Sequence, residues 1–449
     1  MRDIKVLTMI LAGGVGERLY PLTANRSKPA VPFGGNFRII DFTIMNCVLS
    51  GLRKIHVCTQ YHSLSLGRHK NTRWNFLSSE LGEFIELVPP KMRTATGYYQ
   101  GTADAIYRNL DLLDYYRPDV VLVLSGDHIY RADYRRFIDI HIDSDADITV
   151  LTDWIDASQA SAFGVVEGAG GKICQFVEKP SDPTPYAKDG RCQINLGVYC
   201  FQTRFLVQQL INDSKKKTAH DFGKNILPGA LDSGAVLSCP LELICPDEKP
   251  YWRDVGTIDS YYAANMDLLR RPAPLGLHDP RWPEGSRFHE WLPSVYPGIR
   301  QDGGLPGRNL IASGCDVEPS WIDQSILSTG VTVGEGSVID GCIVFPGARI
   351  GRNVRLERVI VEENVEIPDN VEISDSVGSE HLTRSQGGVL VVSSGYRFTE
   401  PASSVRAARP EEERDETHAG GGQVTQVVRR GMERHPTKSR SPRSRQVAG

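Results

Sequence analysis

The 449-residue sequence has no long apolar stretch and no excess of charge of either sign. No segment approaches the roughly 20 apolar residues that a helix needs to cross a bilayer. The N-terminal MRDIKVLTMILAGG lacks the apolar length and the small-residue cleavage site of a secretory signal. The net charge of −4 and the pI of about 6.3 argue against general binding to nucleic acid or to a membrane surface. We therefore expect a cytoplasmic protein that acts on small molecules.

The sequence also lacks the cysteine patterns of a disulfide-stabilised or zinc-binding protein. Its nine cysteines are scattered, with no C-x-x-C pair and no His/Cys zinc spacing. No G-x-S-x-G motif is present, and no cysteine lies in a matched His/Asn context, so covalent catalysis is not indicated. The simplest interpretation of the cysteines is that they are buried, reduced thiols.

A glycine-rich turn follows a short apolar run near the N-terminus. Glycine permits positive φ and lets backbone N–H groups converge on phosphate oxygens at the start of a helix, and nearby cations add positive charge. The pattern therefore predicts a phosphate-binding loop. It comprises an apolar strand end, three glycines and two cations: Leu11, Ala12, Gly13, Gly14, Gly16, Arg18 and Lys28.

The spacing of this turn matches neither of the two common glycine fingerprints. A P-loop requires Gly-Lys-Ser/Thr, and the dinucleotide fingerprint requires a third glycine where Leu19 stands. By itself, G-G-x-G is a weak signal, and an ordinary strand-to-helix turn would be its favoured interpretation.

Two aspartates follow β-like segments and are candidate ligands for Mg²⁺. Asp127 comes after the apolar run VVLVL, and Asp254 lies in YWRDVGT. A hard cation that bridges phosphate oxygens requires one or two such carboxylates. Two structural alternatives remain: Asp127 could cap the next helix, and a helix N-cap at Thr257 would explain part of the second motif.

Two further segments carry candidate ligand-binding residues. In FVEKP, Lys179 ends a predicted strand, where its charge could hold a sugar phosphate. In YYQGTADA, Gln100 and Gly101 could approach a base or a sugar edge, although Thr102 would serve equally well as a plain N-cap. The kinase-like string at 220–223 has no accompanying kinase motifs, and we interpret it as a chance match.

The overall pattern predicts two folded domains and a tail. Strand-like and amphipathic segments alternate over 1–269, which is typical of an α/β domain with a mainly parallel, mixed sheet. A Pro/Gly-rich linker is predicted at 270–308, a left-handed parallel β-helix of hexapeptide repeats at 309–377, and a disordered tail at 397–449. The repeat shows apolar residues six positions apart, then a shift before the spacing resumes: Val338, Val344, Ile350 and Leu356, followed by Val361, Ile367 and Ile373.

Several longer motifs make the chain resemble a known family from about residue 5 to residue 375. The motifs are SKPAVPFGG, FRIIDF, QGTADAIYRNLD, GDHIY, SAFGVV, FVEKP, HDFGK and PYWRDVGT. Together they resemble the bacterial ADP-glucose pyrophosphorylases, that is, glucose-1-phosphate adenylyltransferases. The resemblance implies an Mg²⁺-dependent enzyme that forms ADP-glucose and pyrophosphate from ATP and glucose 1-phosphate, the first step of glycogen-type synthesis. It also implies a homotetramer that is controlled by a phosphorylated metabolite.

The resemblance assigns roles to residues by position. The catalytic residues would be Arg18, Lys28 and Asp127, and the metal ligands Asp127 and Asp254. The residues implied for glucose 1-phosphate are Tyr99, Gly164, Glu178, Lys179 and Asn195, and those implied for ATP are Leu11, Ala12, Gly13, Gly14, Arg18, Lys28, Gln100 and Gly101.

Three residues depart from the pattern of the family. Asn195 stands where serine is common, Glu17 where threonine, serine or lysine is common, and Val15 where arginine is frequent. The alternatives are therefore a nucleotidyltransferase that uses UTP or dTTP, or a catalytically weak regulatory subunit. An acyltransferase in the repeat region is disfavoured because no histidine lies between Asn309 and Glu380.

Overall fold

The apolar run before the glycine turn forms a central strand of a nine-stranded mixed sheet. The computed structural model describes residues 4–91, 97–247, 249–275, 294–297, 307–378 and 381–398. Its strands up to residue 254 are β1 Val6–Ala12, β2 Pro32–Phe33, β3 Phe37–Arg38, β4 Lys54–Thr59, β5 Phe84–Val88, β6 Val120–Ser125, β7 His128–Tyr130, β8 Ile148–Asp156, β9 Gly164–Ala169, β10 Lys172–Glu178, β11 Arg191–Gln202, β12 Val236–Pro240 and β13 Trp252–Asp254. The helices are α1 Ile39–Leu49, α2 Ser63–Arg73, α3 Thr102–Tyr107, α4 Leu110–Tyr116, α5 Tyr134–Asp143, α6 Thr203–Ser214, α7 Leu227–Leu231 and α8 Ile258–Asp267.

The strand order is β5-β4-β1-β6-β11-β8-β12-β10-β9. The pairs on one side of the sheet, from β5 to β6, are parallel. The long strand β11 runs antiparallel to both of its neighbours, β6 and β8. The predicted mixed α/β sheet is thus confirmed, with its parallel pairing concentrated around β1.

Alternating side chains of the central strands enter two separate apolar clusters, as the twofold periodicity of a strand requires. Ile10 and Ala12 of β1 pack on one side, whereas Leu7 and Met9 pack on the other. Strand β6 alternates in the same way, and all of its first five residues are buried. Both faces of the sheet are therefore covered, which explains why these strands read as continuous apolar runs.

A small second sheet brings together two distant segments beside the main sheet. Strands β13 and β7 pair in antiparallel register, with Asp254 opposite His128. Because His128 directly follows Asp127, this pairing places the two candidate metal ligands on neighbouring strand ends.

The C-terminal region is a three-faced stack of short parallel strands. These are β15 Arg308–Ile311, β16 Asp316–Val317, β17 Trp321–Asp323, β18 Ile326–Leu327, β19 Thr332–Val333, β20 Val338–Asp340, β21 Ile343–Val344, β22 Arg349–Ile350, β23 Arg355–Glu357, β24 Val359–Val361, β25 Glu366–Ile367 and β26 Glu372–Ile373. Three strands flank them: β14 Ser294–Pro297, β27 Thr383–Arg384 and β28 Leu390–Val392.

The register of the stack explains the irregular hexapeptide spacing. Ile339 lies over Leu356, and Leu356 over Ile373, so these coils advance the chain by 17 residues, whereas the first coil, from Leu310 to Ile326, advances it by 16. Two six-residue faces and one five-residue face make up this coil, and the predicted shift before Val361 is one of the five-residue steps. The buried position is Ile339 rather than Val338, which is only half-buried.

The predicted domain boundaries differ from the structure at three places. Within the predicted 270–308 linker, β14 pairs with β15, so part of this segment belongs to the stack. The stack extends beyond residue 377, because β28 lies parallel to β24. At the predicted start of the tail, Phe398 still packs against the interior of the β-helix. The rest of the predicted tail lies outside the described residues.

One face of the β-helix packs against the α/β domain. The Tyr262 hydroxyl of α8 donates a hydrogen bond to the carbonyl of Gly341 at 2.6 Å, and the rings of Tyr261 and Phe345 meet edge-on with centroids 6.3 Å apart. The main apolar cluster of the α/β domain includes Ile343 and Phe345 of the stack. The two domains therefore share one core.

All nine cysteines are unpaired, and seven of them are buried. The prediction of buried thiols is wrong for Cys174, which is exposed, and for Cys315, which is half-buried. Among the described residues, no helix has the length and apolar character needed to span a membrane.

Candidate active site

A cleft of about 620 Å³ opens at the C-terminal ends of β1 and β6. Ligands in open α/β sheets bind at this edge, because strand ends and loops converge there. The structure brings all of the predicted site residues to this cleft except Ala12, which is buried in the core beside it, and Gly16, which packs against Lys28 without lining the cleft. The cleft is lined by Leu11, Gly13, Gly14, Arg18, Lys28, Tyr99, Gln100, Gly101, Asp127, Gly164, Glu178, Lys179, Asn195 and Asp254.

The two aspartates converge on one lysine at the base of the cleft. The Lys28 Nζ lies 2.8 Å from Asp127 Oδ2 and 2.9 Å from Asp254 Oδ1. Asp127 does not cap a helix, since strand β7 begins at the next residue. Thr257 does form the predicted N-cap of α8, where its hydroxyl accepts a hydrogen bond from Ser260 N–H. This cap accounts for Thr257 and leaves Asp254 facing the cleft.

Lys28 and Asp127 stabilise each other's ionised states. Burial opposes ionisation of Lys28, yet the neighbouring carboxylates Asp127 and Asp254 raise its pKa above the ordinary value. Burial likewise opposes ionisation of Asp127, but the Lys28 ammonium, His128 and a hydrogen bond from Ser125 hold the pKa of Asp127 far below its usual range. The cleft therefore contains a charged Lys28 beside an ionised Asp127 across the neutral pH range.

The donor set at this point fits Mg²⁺ bound together with a substrate phosphate. Mg²⁺ typically uses one or two protein carboxylates and completes its shell with water and phosphate oxygens. Asp127 and Asp254 supply two such carboxylates, and the ammonium between them shows that the position favours a cation. Within the described residues, no cluster of three or more His, Cys, Asp and Glu side chains is suited to a metal.

The glycine turn packs directly against Lys28. Gly16 has a φ of +72°, and a Cβ at this position would lie 2.9 Å from the Cβ of Lys28. Thr23 anchors the turn by donating its hydroxyl to the Gly16 carbonyl at 3.0 Å. A three-residue 3-10 turn, Glu17–Leu19, follows the glycines in place of the predicted helix start. The amides are therefore presented by a tight turn with no helix dipole behind it.

Arg18 and the two substituted positions lie at the mouth of the cleft. The Arg18 side chain is 65% exposed and its guanidinium is 3.9 Å from Asp254 Oδ2, so it is free to reach a ligand. Val15 is exposed and lines the cleft. Glu17 is exposed and does not belong to the lining, so its carboxylate does not face the space above the glycine turn.

The sugar-side candidates come from three neighbouring strands at the other end of the cleft. Gly164 of β9 pairs with Glu178 of β10. Lys179 has a φ of +50°, a left-handed conformation that is uncommon for a residue with a Cβ. Its N–H donates to the Phe163 carbonyl, which fixes this turn. The side chain of Lys179 is 59% exposed and therefore available to a ligand.

Asn195 lies at an irregularity in the pairing of β11 with β8. Its Oδ1 accepts a hydrogen bond from Gly197 N–H at 2.9 Å, and its Nδ2 donates to the Tyr199 hydroxyl at 2.8 Å. The second N–H of the amide takes part in neither of these hydrogen bonds. Asn195 therefore lies in the wall of the cleft with one hydrogen-bond donor available to a ligand.

A third wall is formed by the loop around Gly101 and the segment 219–223. An added Cβ at Gly101 would lie 2.2 Å from the Ala219 carbonyl oxygen, so this close approach requires glycine. Thr102 is the first residue of α3 and not its cap; its hydroxyl donates to Asp221 Oδ2 and accepts from Phe222 N–H, both at 2.9 Å. The plain N-cap interpretation of Thr102 is therefore wrong.

Several cleft residues were not identified from the sequence. The segment 220–223 was interpreted as a chance match to a kinase motif, yet three of its residues line the cleft. Its partner Thr102 is 120 positions away, and no local pattern connects the two. The further lining residues are Gln60, Tyr61, Ser125, His128, Phe163, Tyr199, Asp221, Phe222 and Gly223.

The chain matches two family models that divide it as the fold does. Residues 7–271 match the model described as nucleotidyl transferase, and residues 300–392 match the model described as GlmU-like, C-terminal hexapeptide. The second match ends at the last strand of the stack, Leu390–Val392.

Curated relatives resemble the chain over most of its length. Glucose-1-phosphate adenylyltransferase 2 of Alkalilimnicola ehrlichii is 40% identical over 353 residues, covering 78% of this chain and 84% of the relative. The glucose-1-phosphate adenylyltransferase of Hydrogenovibrio crunogenus is 42% identical over 362 residues, with the same coverage. That of Rhodopirellula baltica is 37% identical over 412 residues, covering 89% and 92%. These similarities extend through both domains, and the chain belongs to the glucose-1-phosphate adenylyltransferase family of nucleotidyl transferases.

Proposed function

We propose that the protein joins ATP and α-D-glucose 1-phosphate to form ADP-glucose and pyrophosphate, the first step of glycogen-type synthesis. The observation that carries this proposal is the ion-paired set of Lys28, Asp127 and Asp254 beside the glycine turn, in a chain of this family. A lysine and two carboxylates at the base of a cleft of about 620 Å³ suit a reaction in which charge on phosphate must be neutralised.

The chemistry is a direct displacement at the α-phosphorus of ATP. A phosphate oxygen of the sugar attacks, the bond from the α-phosphorus to the bridging oxygen breaks, and pyrophosphate leaves with its electron pair. Mg²⁺ held by Asp127 and Asp254 would neutralise charge on the phosphate oxygens. No covalent enzyme intermediate is needed, so the chain's own task is positioning and electrostatic stabilisation.

The protein side chains divide this task by position. The glycine turn and Arg18 at the mouth of the cleft bind the triphosphate, and Lys28 donates hydrogen bonds to charge that develops at the reacting phosphate. Lys179 holds the phosphate of the sugar, while Glu178 and Asn195 accept from and donate to sugar hydroxyls. Burial raises the pKa of Glu178 above its ordinary value, which suits a carboxylate that acts as a hydrogen-bond acceptor inside the cleft.

The decisive experiment is an assay of the purified protein with each nucleoside triphosphate, glucose 1-phosphate and Mg²⁺. We expect ADP-glucose and pyrophosphate with ATP. Turnover only with UTP or dTTP would assign the protein to another nucleotide, and no turnover with any nucleotide would support the regulatory-subunit alternative. Omission of Mg²⁺ should abolish the activity, which tests the metal proposal separately.

The proposal extends to assembly, regulation and location. As proposed from the family resemblance, the chain forms a homotetramer in the cytoplasm and responds to a phosphorylated metabolite. The β-helix is the element that would serve assembly, because stacks of this kind are stabilised by partner surfaces. Sedimentation of the purified protein tests the tetramer, and a screen of phosphorylated sugars in the assay tests the effector.

A further inference from the structure

Two carboxylates of the β-helix hold the segment that carries Lys28. Arg26, two residues before Lys28, forms ion pairs from Nη1 to Glu362 Oε1 at 2.9 Å and from Nη2 to Glu363 Oε2 at 3.0 Å. These partners are more than 330 positions away along the chain. A contact of the second domain thus lies two residues from the base of the catalytic cleft.

This ion pair is buried and anchored at both ends. The Arg26 side chain is 7% exposed and that of Glu362 is 3% exposed. Glu362 is fixed within the β-helix, since its Oε2 accepts the N–H of Ser394 at 2.9 Å. Arg26 also donates to the Leu22 carbonyl at 3.3 Å. Removing one partner of a buried pair leaves an uncompensated charge, so the contact constrains both sides strongly.

Glu363 extends the contact to the far end of the same segment. Its second oxygen, Oε1, lies 3.2 Å from Arg38 Nη2, and Arg38 Nη1 donates a hydrogen bond to the Ala30 carbonyl. Lys28–Ala30 is a 3-10 turn, closed by a hydrogen bond from Ala30 N–H to the Ser27 carbonyl at 2.9 Å. The two arginines therefore contact this segment on both sides of Lys28: Arg26 lies just before the turn, and Arg38 binds the carbonyl of Ala30. Both arginines form ion pairs with β-helix carboxylates.

We infer that Glu362 and Glu363 are positioning residues that set the location of Lys28 between Asp127 and Asp254. This inference rests on the proposed function, in which Lys28 acts on the reacting phosphate. A three-residue turn is stiff, so a displacement of Arg26 moves the Cα of Lys28 with it. Misplacement of a catalytic group by about 1 Å can lower a rate by about a hundredfold.

Domain docking has other contacts that do not touch this segment. Asp259 of α8 accepts hydrogen bonds from the Ser385 hydroxyl and from Gly387 N–H, and Tyr262 donates to Gly341. The shared apolar core adds further packing between the domains. Neutralising the two glutamates should therefore leave the domains docked while it loosens the Lys28 turn.

The test compares Glu362→Gln, Glu363→Gln and the double variant with a matched control, Glu366→Gln. Glu366 belongs to strand β25, on a different face of the same β-helix from β24, and its pair with Arg349 is exposed. We expect kcat to fall at least about tenfold in the double variant, with the KM values for both substrates changed by less. The control should retain wild-type kcat. Because Glu362→Gln removes the more deeply buried of the two charges that face Arg26, Arg26→Gln combined with Glu362→Gln provides a neutral pair at the same place.

Hydrogen exchange measured by mass spectrometry gives a readout that does not depend on turnover. Peptides that cover residues 27–35 should exchange faster in the glutamine variants than in the wild type or the control, with global melting temperatures that stay close together. Unchanged exchange in these peptides, or a loss of kcat that only follows a loss of thermal stability, would overturn the inference. A wild-type protein without nucleotidyl transfer would instead overturn the proposed function, and the exchange experiment would still decide whether the carboxylates hold the turn.

Discussion

At the scale of single residues, the chemistry depends on how three charges are arranged. The Lys28 ammonium lies within hydrogen-bond distance of both Asp127 and Asp254, and each carboxylate also faces the cleft. In this arrangement the single lysine offsets part of the negative charge of the two aspartates before a ligand binds. A phosphate that enters with its cation can replace the ion pairs of Lys28 with the two aspartates. Binding then does not require the desolvation of an unpaired charge in the protein.

Replacement of Asp127 by Asn should strongly impair catalysis without unfolding the protein. The amide keeps the shape of the side chain but loses the charge that would hold Mg²⁺ and Lys28, and a metal clamp contributes several kcal/mol to such a transition state. We expect kcat to fall by about a hundredfold or more and the Mg²⁺ concentration for half-maximal rate to rise. Steady-state kinetics over a Mg²⁺ titration measure both, and a kcat within twofold of wild type would contradict the assignment.

Replacement of Lys179 by Ala should affect one substrate selectively. Its exposed ammonium stands at the sugar end of the cleft, at the opposite side from the glycine turn. We expect KM for glucose 1-phosphate to rise about tenfold or more, because a charge-assisted contact to phosphate contributes about 1.5 to 3 kcal/mol, while KM for ATP changes little. Lys172→Ala, at the exposed start of the same strand, is the matched control. Equal effects on the two substrates would argue against this role.

At the scale of elements, the cleft depends on close contact between segments that are distant in sequence. The loop before α3 packs backbone to backbone against residues 219–220, and the Ala103 N–H donates to the His220 carbonyl at 2.8 Å. His220 has a φ of +49°, so this turn is held in an uncommon conformation beside the site.

A methyl group at Gly101 should separate these two segments. Its Cβ would lie 2.2 Å from one carbonyl oxygen and 2.3 Å from the next, a clash that only a backbone shift can relieve. We expect Gly101→Ala to destabilise the fold by about 2 kcal/mol or more and to lower activity. Gly229→Ala is the control, because a Cβ there would meet nothing and alanine favours the helix. Thermal unfolding of both variants measures the difference in stability, and equal melting temperatures would exclude the clash.

A buried histidine in strand β4 should make stability depend on pH. The His56 ring makes tilted contacts with Phe84 and Tyr116, and neither ring nitrogen has a hydrogen-bond partner within the described part of the chain; the Glu86 carboxylate lies 3.6 Å from Nδ1. Burial, with a smaller effect of Lys91, lowers the pKa of His56 from 6.5 to about 4. The unfolded state therefore binds a proton first as the pH falls, and stability is lost between pH 6.5 and about 4.

Replacement of His56 by Phe should remove this source of acid sensitivity. Phenylalanine keeps the ring contacts and cannot be protonated, so the variant should gain about 2 kcal/mol relative to wild type between pH 7 and pH 5. Urea unfolding at several pH values measures the difference. Parallel pH curves for the two proteins would show that His56 is not the titrating group.

At the scale of the whole molecule, the β-helix is a separate domain whose side chains also complete the apolar core of the α/β domain. Its Ile326, Ile343 and Phe345 belong to the apolar cluster under α1 and α8. Deletion of the predicted repeat, residues 309–377, would expose this surface. We therefore expect aggregation or monomers and loss of effector response.

Deletion of residues 401–449 should have little effect by comparison. This segment lies after Phe398, the last described residue that packs on the β-helix, and its composition is poor in large apolar residues. Light scattering and the ADP-glucose assay on both truncations measure the two outcomes. A soluble, fully active oligomer without the repeat would show that the second domain serves another purpose.

The sequence by itself determined the local elements and their chemistry. The apolar runs predicted strands at β1, β6 and β10, because side-chain periodicity is a local property of the backbone. The motifs identified Lys28, Asp127 and Asp254 as candidates, because the required residue types recur together in the family. The hexapeptide spacing likewise predicted a β-helix.

Only the tertiary structure decided which of these residues meet. Lys28 is 99 positions from Asp127 and 226 from Asp254, and the contact exists because β13 pairs with β7. The 17-residue coil depends on the register between strands, and the link from Arg26 to Glu362 on the docking of two domains. Such contacts depend on strand pairing and packing over the whole chain. The local sequence around a residue does not indicate which distant residue it will contact.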